Sequence, residues 1–452
     1  MRSFDGERWW AAAMAGGALL GVAYTLSPLT VVVACGAIAM TAVAGQGLPR
    51  EERRWLMAIL GVAFALRAAA VCALFLLSPH NTQGAGILFG DESYALYRSW
   101  RMRDVLLGIP MLKYDYLIAY DVYGRSNYLT AITFVQTLFG PAPYALRLLN
   151  ALMFVGAVLL LFRVTRRAFG PAVAFAGLLV LLFLPTLFFW SISLLKESLY
   201  FVLTAVVFAA AAAGLSARSW PARAGLAVIA SAALWALRDL RTGAVILAVG
   251  GIAIGVACRW IFAKPWRIWS AAGAVAVVAL AVVVQPRVQA MVLNGLDRAA
   301  TEHTGHVFTV GHAYKLLDAP FYVFPHAGQE YSLTPAEAAR FVVRGIASYL
   351  VVPLPWQIAT TGELVYLPEQ VFWYVLIVLA PIGVVAGYRR DPMVTSLLVG
   401  YLIPTAAVVA LTTGNVGTLI RHRTLIVPYL IWLSAMGACA AAVRLSAARQ
   451  KP

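Results

Sequence analysis

The sequence predicts an all-α, polytopic transmembrane bundle of about twelve spans, and three observations carry that expectation. Hydrophobic residues fill 62% of the 452 positions and charged residues only 12%, roughly half the charged share of a soluble chain. Apolar runs near the ~20 residues that cross hydrocarbon recur from one end to the other, and in lipid such runs must satisfy their own backbone hydrogen bonds as helices. Basic residues also gather in alternate loops between these runs, the pattern that orients membrane helices.

Taken in order, the first run at 9–26 is followed at once by another at 28–45. The pair reads as a retained N-terminal hairpin, 1–54, and not as a cleaved signal segment. A core follows at 55–285, with spans expected at 55–78, 143–162, 171–190, 197–215, 221–237, 242–259 and 268–285 and a first outer loop at 79–142. A second outer loop fills 286–369, and 370–452 carries spans at 370–388, 393–411 and 424–443. Residues 128–139 are apolar but too short to span, and Pro141 and Pro143 interrupt the chain after them. The segment 341–357, which ends in Val-Pro-Leu-Pro-Trp, is likewise expected to lie along the outer surface. Both segments are read as extracytoplasmic juxtamembrane helices.

With the N terminus inside, every inside loop is basic. These loops hold Arg50, Arg53 and Arg54; Arg163, Arg166 and Arg167; Arg218 and Arg223; Arg259, Lys264 and Arg267; Arg389 and Arg390; and Arg444, Arg449 and Lys451. The net charge of +16 therefore reports topology and anionic membrane lipids and argues against a nucleic-acid partner. Cys35, Cys72, Cys258 and Cys439 lie far apart in apolar segments, which excludes a disulfide framework or a zinc spacing.

Four polar groups remain on the outer side. The first is Gly90-Asp91-Glu92-Ser93-Tyr94, with an amphipathic stretch at 92–107; the second is Lys196-Glu197; the third is Arg238-Asp239-Leu240-Arg241; the fourth is Arg421-His422-Arg423. Each has a plainer reading: an acidic helix start, a solvated interfacial pair, structural ion pairing and a membrane-edge cluster. Three potential cations outside, however, run against the bias of every other short loop, and an anionic partner such as a phosphate accounts for them. His303, His306 and His312 are expected as solvated loop histidines, and Arg67 is expected to face a helix neighbour or a water-filled cavity. An acidic pair and several cations facing one compartment suit sugar transfer. A carboxylate takes the proton of an attacking hydroxyl, and cations stabilise a departing phosphate.

Gly90-Asp91-Glu92-x-Tyr94 resembles the opening signature of the GT-C membrane glycosyltransferases. Tyr144 to Asn150 with Arg166 to Gly170, and Pro185 with Ser193 to Glu197, resemble the protein-mannosyltransferase-like (family 39) branch, so the likeness covers about 55–215. Pro353-Leu354-Pro355-Trp356 and the Gly417 to Arg423 element resemble bacterial polysaccharide-cluster members of the same group. The resemblance implies a GT-C-like core and makes Asp91 the general base. Glu92 and Glu197 would orient the acceptor or bind a divalent metal, although the sequence itself requires no metal. Tyr94, Lys196, Arg238, Arg241, Arg421, His422 and Arg423 would bind substrate.

The implied reaction moves a sugar from a polyprenyl-phosphate-linked donor to a glycan or lipid acceptor on the outer face of a bacterial inner membrane. Two rivals share the polar set: a repeat-unit polymerase acting on polyprenyl-pyrophosphate-linked glycan, and a lipid-linked glycan transporter. Transport is disfavoured because the charges lie at one interface and no internal repeat is evident.

Overall fold

The computed structural model describes residues 9–10, 13–19, 21, 27–78, 88–121, 125–241, 243–322, 332–358 and 360–449. The elements are α1 (Pro28–Ala44), α2 (Arg50–Leu77), α3 (Gly90–Leu106), α4 (Lys113–Ala119), α5 (Asn127–Phe139), α6 (Pro143–Phe169), α7 (Pro171–Phe183), α8 (Pro185–Ser191) and α9 (Glu197–Ser216). They continue with α10 (Trp220–Leu237), α11 (Ala244–Ile261), α12 (Pro265–Val284), α13 (Pro286–Val307), α14 (Pro335–Val351), α15 (Thr361–Arg390), α16 (Pro392–Thr412), α17 (Val416–Arg423) and α18 (Val427–Arg449). The all-α expectation holds among the described residues.

Nine described helices are long and apolar enough to cross a membrane, and the bent pair α7–α8 makes a tenth if counted as one span. This is a multi-pass membrane protein. The ten coincide with the spans expected from 55–78 onward. The run at 28–45 forms α1, whose 17 residues fall just short of a straight crossing. Positions 11–12, 20 and 22–26 of the 9–26 run lie outside the described residues, as does Lys451. Among the described residues the count is therefore nine or ten. Residues 128–139 fall in the short helix α5, and 341–351 falls in α14, which starts with a capping box between Thr334 and Glu337.

The chain divides into two compact units. The first holds residues up to Leu161 together with Leu182–Val207 and Val228–Ala244. Its small core of Val71, Ala151 and Ile192 packs against Leu74, Leu148 and Phe188. Between α7 and α8, Pro185 cannot donate to the helical ladder, and the axis bends by 64°. Arg67 of α2 meets a main-chain and a side-chain acceptor on either side of the bend. Its Nη2 donates to the Leu182 carbonyl at 3.0 Å, and its Nε donates to Ser191 Oγ at 2.8 Å. Arg67 is fully buried, so of the two sequence expectations the helix neighbour is the one found.

The second unit holds Phe162–Leu181, Phe208–Ala227 and the chain from Val245. Here α15 and α18 approach backbone to backbone. A Cβ on Gly383 would lie 1.7 Å from the Leu433 carbonyl oxygen, and one on Gly437 would lie 2.1 Å from that of Leu379. Small residues permit such contact between apolar helices. Ser434 adds an interhelical hydrogen bond to the Leu376 carbonyl at 2.8 Å. Likewise Gly251 and Gly255 of α11 lie against Gly400 of α16. A separate cluster, with Ala300, Leu316, Tyr322 and Phe341 among its members, seats α13 against α14.

Candidate functional site

In the first unit, three segments that lie far apart in sequence meet at Glu92. This residue sits in the first turn of α3, is 1% exposed, and accepts four hydrogen bonds. Oε1 receives Arg147 Nη1 at 3.0 Å and the Leu194 N–H at 2.7 Å. Oε2 receives Arg147 Nη2 at 3.0 Å and the Leu88 N–H at 2.8 Å. A carboxylate offers about four lone-pair positions, so Glu92 is saturated. Among the described residues no group of three or more His, Cys, Asp or Glu side chains is placed to hold a metal ion.

The bend at Pro185 explains how the main chain reaches this carboxylate. After α8 ends at Ser191, residues 192–196 turn before α9 begins at Glu197. That turn presents the Leu194 N–H to Glu92 and the Ile192 carbonyl to Arg147 Nη1 at 3.0 Å. Three residues along α6, on the same face as Arg147, Asn150 Nδ2 donates to the Tyr128 hydroxyl at 3.0 Å and to the Ser193 carbonyl. Burial raises the Tyr128 phenol above its ordinary pKa, and the nearby Glu197 and Glu92 charges push it the same way, so this hydroxyl stays protonated. Glu197 is 7% exposed, and Lys196 beside it is half-buried.

Asp91, the neighbour of Glu92, is exposed. Two adjacent carboxylates in one helical turn thus have different surroundings. Tyr94 is 41% exposed, and its hydroxyl receives Arg98 Nη1 at 2.8 Å. Arg98 itself is buried. The short helix α4 ends with carbonyls that lack intrahelical partners, and Arg98 donates to those of Ala119 and Asp121. The Arg238 side chain is exposed and pairs loosely with Asp239 at 3.4 Å, while Arg241 is half-buried. Their turn is tied to the start of α5 by Asn127, whose N–H donates to the Asp239 carbonyl at 3.1 Å and whose Nδ2 donates to that of Ala236 at 3.0 Å.

Arg421, His422 and Arg423 belong to the second unit. Asn415 caps α17, its side chain accepting from the Gly417 N–H. Arg421 and His422 are half-buried. Arg423 is 2% exposed; it donates to Gln370 Oε1 at 2.9 Å and to the carbonyls of Tyr349 and Val352. Its guanidinium stacks over Trp373, 4.5 Å from the ring centre.

The loop histidines are not all solvated. His303 is fully buried, with Nδ1 bonded to the Thr413 carbonyl at 2.7 Å and Nε2 to the Tyr322 hydroxyl at 3.0 Å. Burial holds its pKa down to about 4. The reason is the packing of α13 against residues 313–322 and α14, which covers that face. His312 pairs with Glu363 at 3.0 Å.

Arg147, Asn150 and Tyr128 are the residues that sequence reasoning passed over as site members. The available signal was an Arg and an Asn three positions apart near the start of an apolar helix, since an ionisable side chain in such a segment is expected to have a partner or a task.

No family model matches the sequence, and no curated protein matches it. Two crystal structures of ArnT from Cupriavidus metallidurans are similar to this chain, one bound to undecaprenyl phosphate and one in the apo state. Each aligns with a TM-score of 0.47, at 13% and 14% identity, over 85% and 86% of this chain. The alignments cover 60% and 59% of those structures, so this chain spans about three fifths of their length.

Proposed function

We propose that this protein is a membrane glycosyltransferase that moves a sugar from a polyprenyl-phosphate-linked donor to an acceptor hydroxyl, acting at the outer face of a bacterial inner membrane. The observation that supports it is the convergence at Glu92. The acidic loop, the Arg147–Asn150 face and the 192–197 turn are the segments that carry the GT-C resemblance, and they join in one hydrogen-bonded assembly.

In this reading Glu92 and Arg147 form a fixed platform, and the exposed Asp91 beside it is the general base. The acceptor oxygen attacks the anomeric carbon as Asp91 takes its proton. The bond from that carbon to the phosphate oxygen breaks, and the electron pair leaves with the lipid phosphate. Tyr94, Lys196 and Glu197 line the same stretch of the first unit and contact the sugar. Arg238 and Arg241 meet the phosphate. Arg423, with its donors already on Gln370 and two carbonyls, holds the 349–352 segment to α15.

The test is release of free polyprenyl phosphate from a polyprenyl-phosphate-linked sugar by the purified protein in nanodiscs. Wild type is expected to release it and Asp91→Asn is not; equal release by the two would remove Asp91 as the base. A ladder of product lengths would favour the polymerase reading, and movement of intact lipid-linked glycan across proteoliposomes would favour transport.

A further inference from the structure

We propose that the concavity between α3 and α4 binds an uncharged sugar unit of a glycan, at a place distinct from the reacting position beside Asp91. The proposal rests on the glycan-handling reading above and adds that the glycan is an oligosaccharide.

The helix itself sets up the site. Tyr97, Trp100, Arg101 and Asp104 recur at intervals of three, one and three, which places them on one face of α3. Together with Met111 and Asp115 they line a cavity of about 610 Å³, within the size range of small-molecule sites. The Tyr97 and Trp100 rings lie 5.4 Å apart at 75° and so form an aromatic corner, not a flat stack. A pyranose has apolar C–H faces and a hydroxyl rim. The aromatic corner and Met111 suit its faces, and the Asp104 and Asp115 carboxylates accept from its rim. The walls are held in place, because Arg98 ties α3 to the end of α4 and Arg101 Nε meets Asp115 Oδ1 at 2.6 Å.

Charge decides the ligand class. The one cation among the described lining residues, Arg101, already faces Asp115, and Asp104 is paired with Arg103 at 3.0 Å. Among the described lining residues no cation is left over for a phosphate or a uronate, whereas recognition of such anions rests on charge-assisted bonds from Arg or Lys. An uncharged, hydroxyl-rich ligand leaves both pairs intact.

Position then fixes the length of the ligand. At 1.5 Å per residue, Tyr97 lies ~9 Å and Asp104 ~20 Å beyond Asp91 along the helix axis. A single sugar does not reach from one place to the other, so a ligand held in the cavity with its reacting end at Asp91 is a chain of sugars.

The experiment is saturation-transfer NMR on the full chain in nanodiscs, with maltotetraose, chitotetraose and tetragalacturonate as probes. At least one of the two neutral probes is expected to receive saturation and the acidic one is not. Trp100→Ala and the cavity-filling Met111→Trp, each matched to wild type in elution profile, are expected to weaken neutral binding at least tenfold. Asp91→Asn is expected to bind as wild type does. The proposal is overturned if neither neutral probe binds, if tetragalacturonate binds as well as they do, or if Met111→Trp binds like wild type. A transfer assay of Asp91→Asn run alongside separates the two ideas. Retained transfer would remove the catalytic assignment and leave the probe-binding result standing, whereas lost transfer with no probe binding would do the reverse.

Discussion

Replacing Glu92 by Gln changes one atom of a buried side chain and reverses its hydrogen-bonding character at that atom. Each carboxylate oxygen of Glu92 accepts one Arg147 nitrogen and one backbone N–H. A carboxamide turns one oxygen into an NH₂ group, so two donors then face a donor whichever way the amide is placed. Arg147, fully buried, also loses its counter-charge. Removing one member of a buried ion pair costs about 3–5 kcal/mol, a large part of the roughly 5–15 kcal/mol that holds a typical domain folded. Asp91→Asn, one residue away, alters an exposed group and is expected to leave stability within about 0.5 kcal/mol. Replacing both partners, Glu92→Gln with Arg147→Met, removes the stranded charge and is expected to recover part of the loss. The assay is the monodisperse fraction that survives heating of detergent-solubilised protein. The expected order of survival is Asp91→Asn equal to wild type, the double variant below it, and Glu92→Gln lowest. If Glu92→Gln survives as well as Asp91→Asn, the buried platform has no part in stability and the division of tasks between the two carboxylates fails.

The remaining predictions follow from single contacts. Asp91→Asn, although stable, is expected to slow sugar transfer by about 10²–10⁴-fold, the usual range for a lost general base, as read by release of polyprenyl phosphate. Burial lowers the His303 pKa to about 4, so below the ordinary value near 6.5 the unfolded chain takes up a proton that the folded chain refuses. Stability is complete above about pH 6.5 and falls by about 3 kcal/mol as pH drops toward 4; His303→Gln is expected to flatten that part of the pH profile of the melting midpoint. Gly437→Ala drives a methyl into the Leu379 carbonyl and is expected to cost about 1–3 kcal/mol or more, seen as loss of monodisperse protein. Arg67→Ala strips the Leu182 carbonyl and Ser191 of a buried donor, at about 1–3 kcal/mol for each group left unsatisfied, with the same readout.

The spans from 55 onward were legible because crossing a membrane is a local requirement: each run must be long and apolar enough by itself. The 171–190 run reads as one span, and its 64° bend at Pro185, which removes a donor wherever it sits, was not foreseen. Nor was the opposite burial of Asp91 and Glu92. Both are acidic residues in the first turn of one helix, and the one that turns inward is decided by Arg147, 55 positions further on. His303 shows the same limit. Its neighbours in sequence are polar, and its burial comes from Thr413, Tyr322 and Phe341, which reach it only through the tertiary fold. Arg423 reads as a membrane-edge cation beside Arg421 and His422, yet its acceptors lie on residues 349, 352 and 370. Local pattern identifies which residues are costly to place, and long-range partners determine where they are placed.

The bend at Pro185 has a consequence for how this protein would change over time. The turn that follows it supplies the platform with a carbonyl from Ile192 and an N–H from Leu194, groups that every residue but proline possesses in full. Substitutions at those two positions that preserve the bend and the packing would leave the hydrogen bonds to Glu92 and Arg147 in place. Related chains are therefore expected to drift at 192 and 194 while holding the helix-breaking residue and the two side chains it serves, so that kinship at this site would be found in shape well after it had faded from the letters.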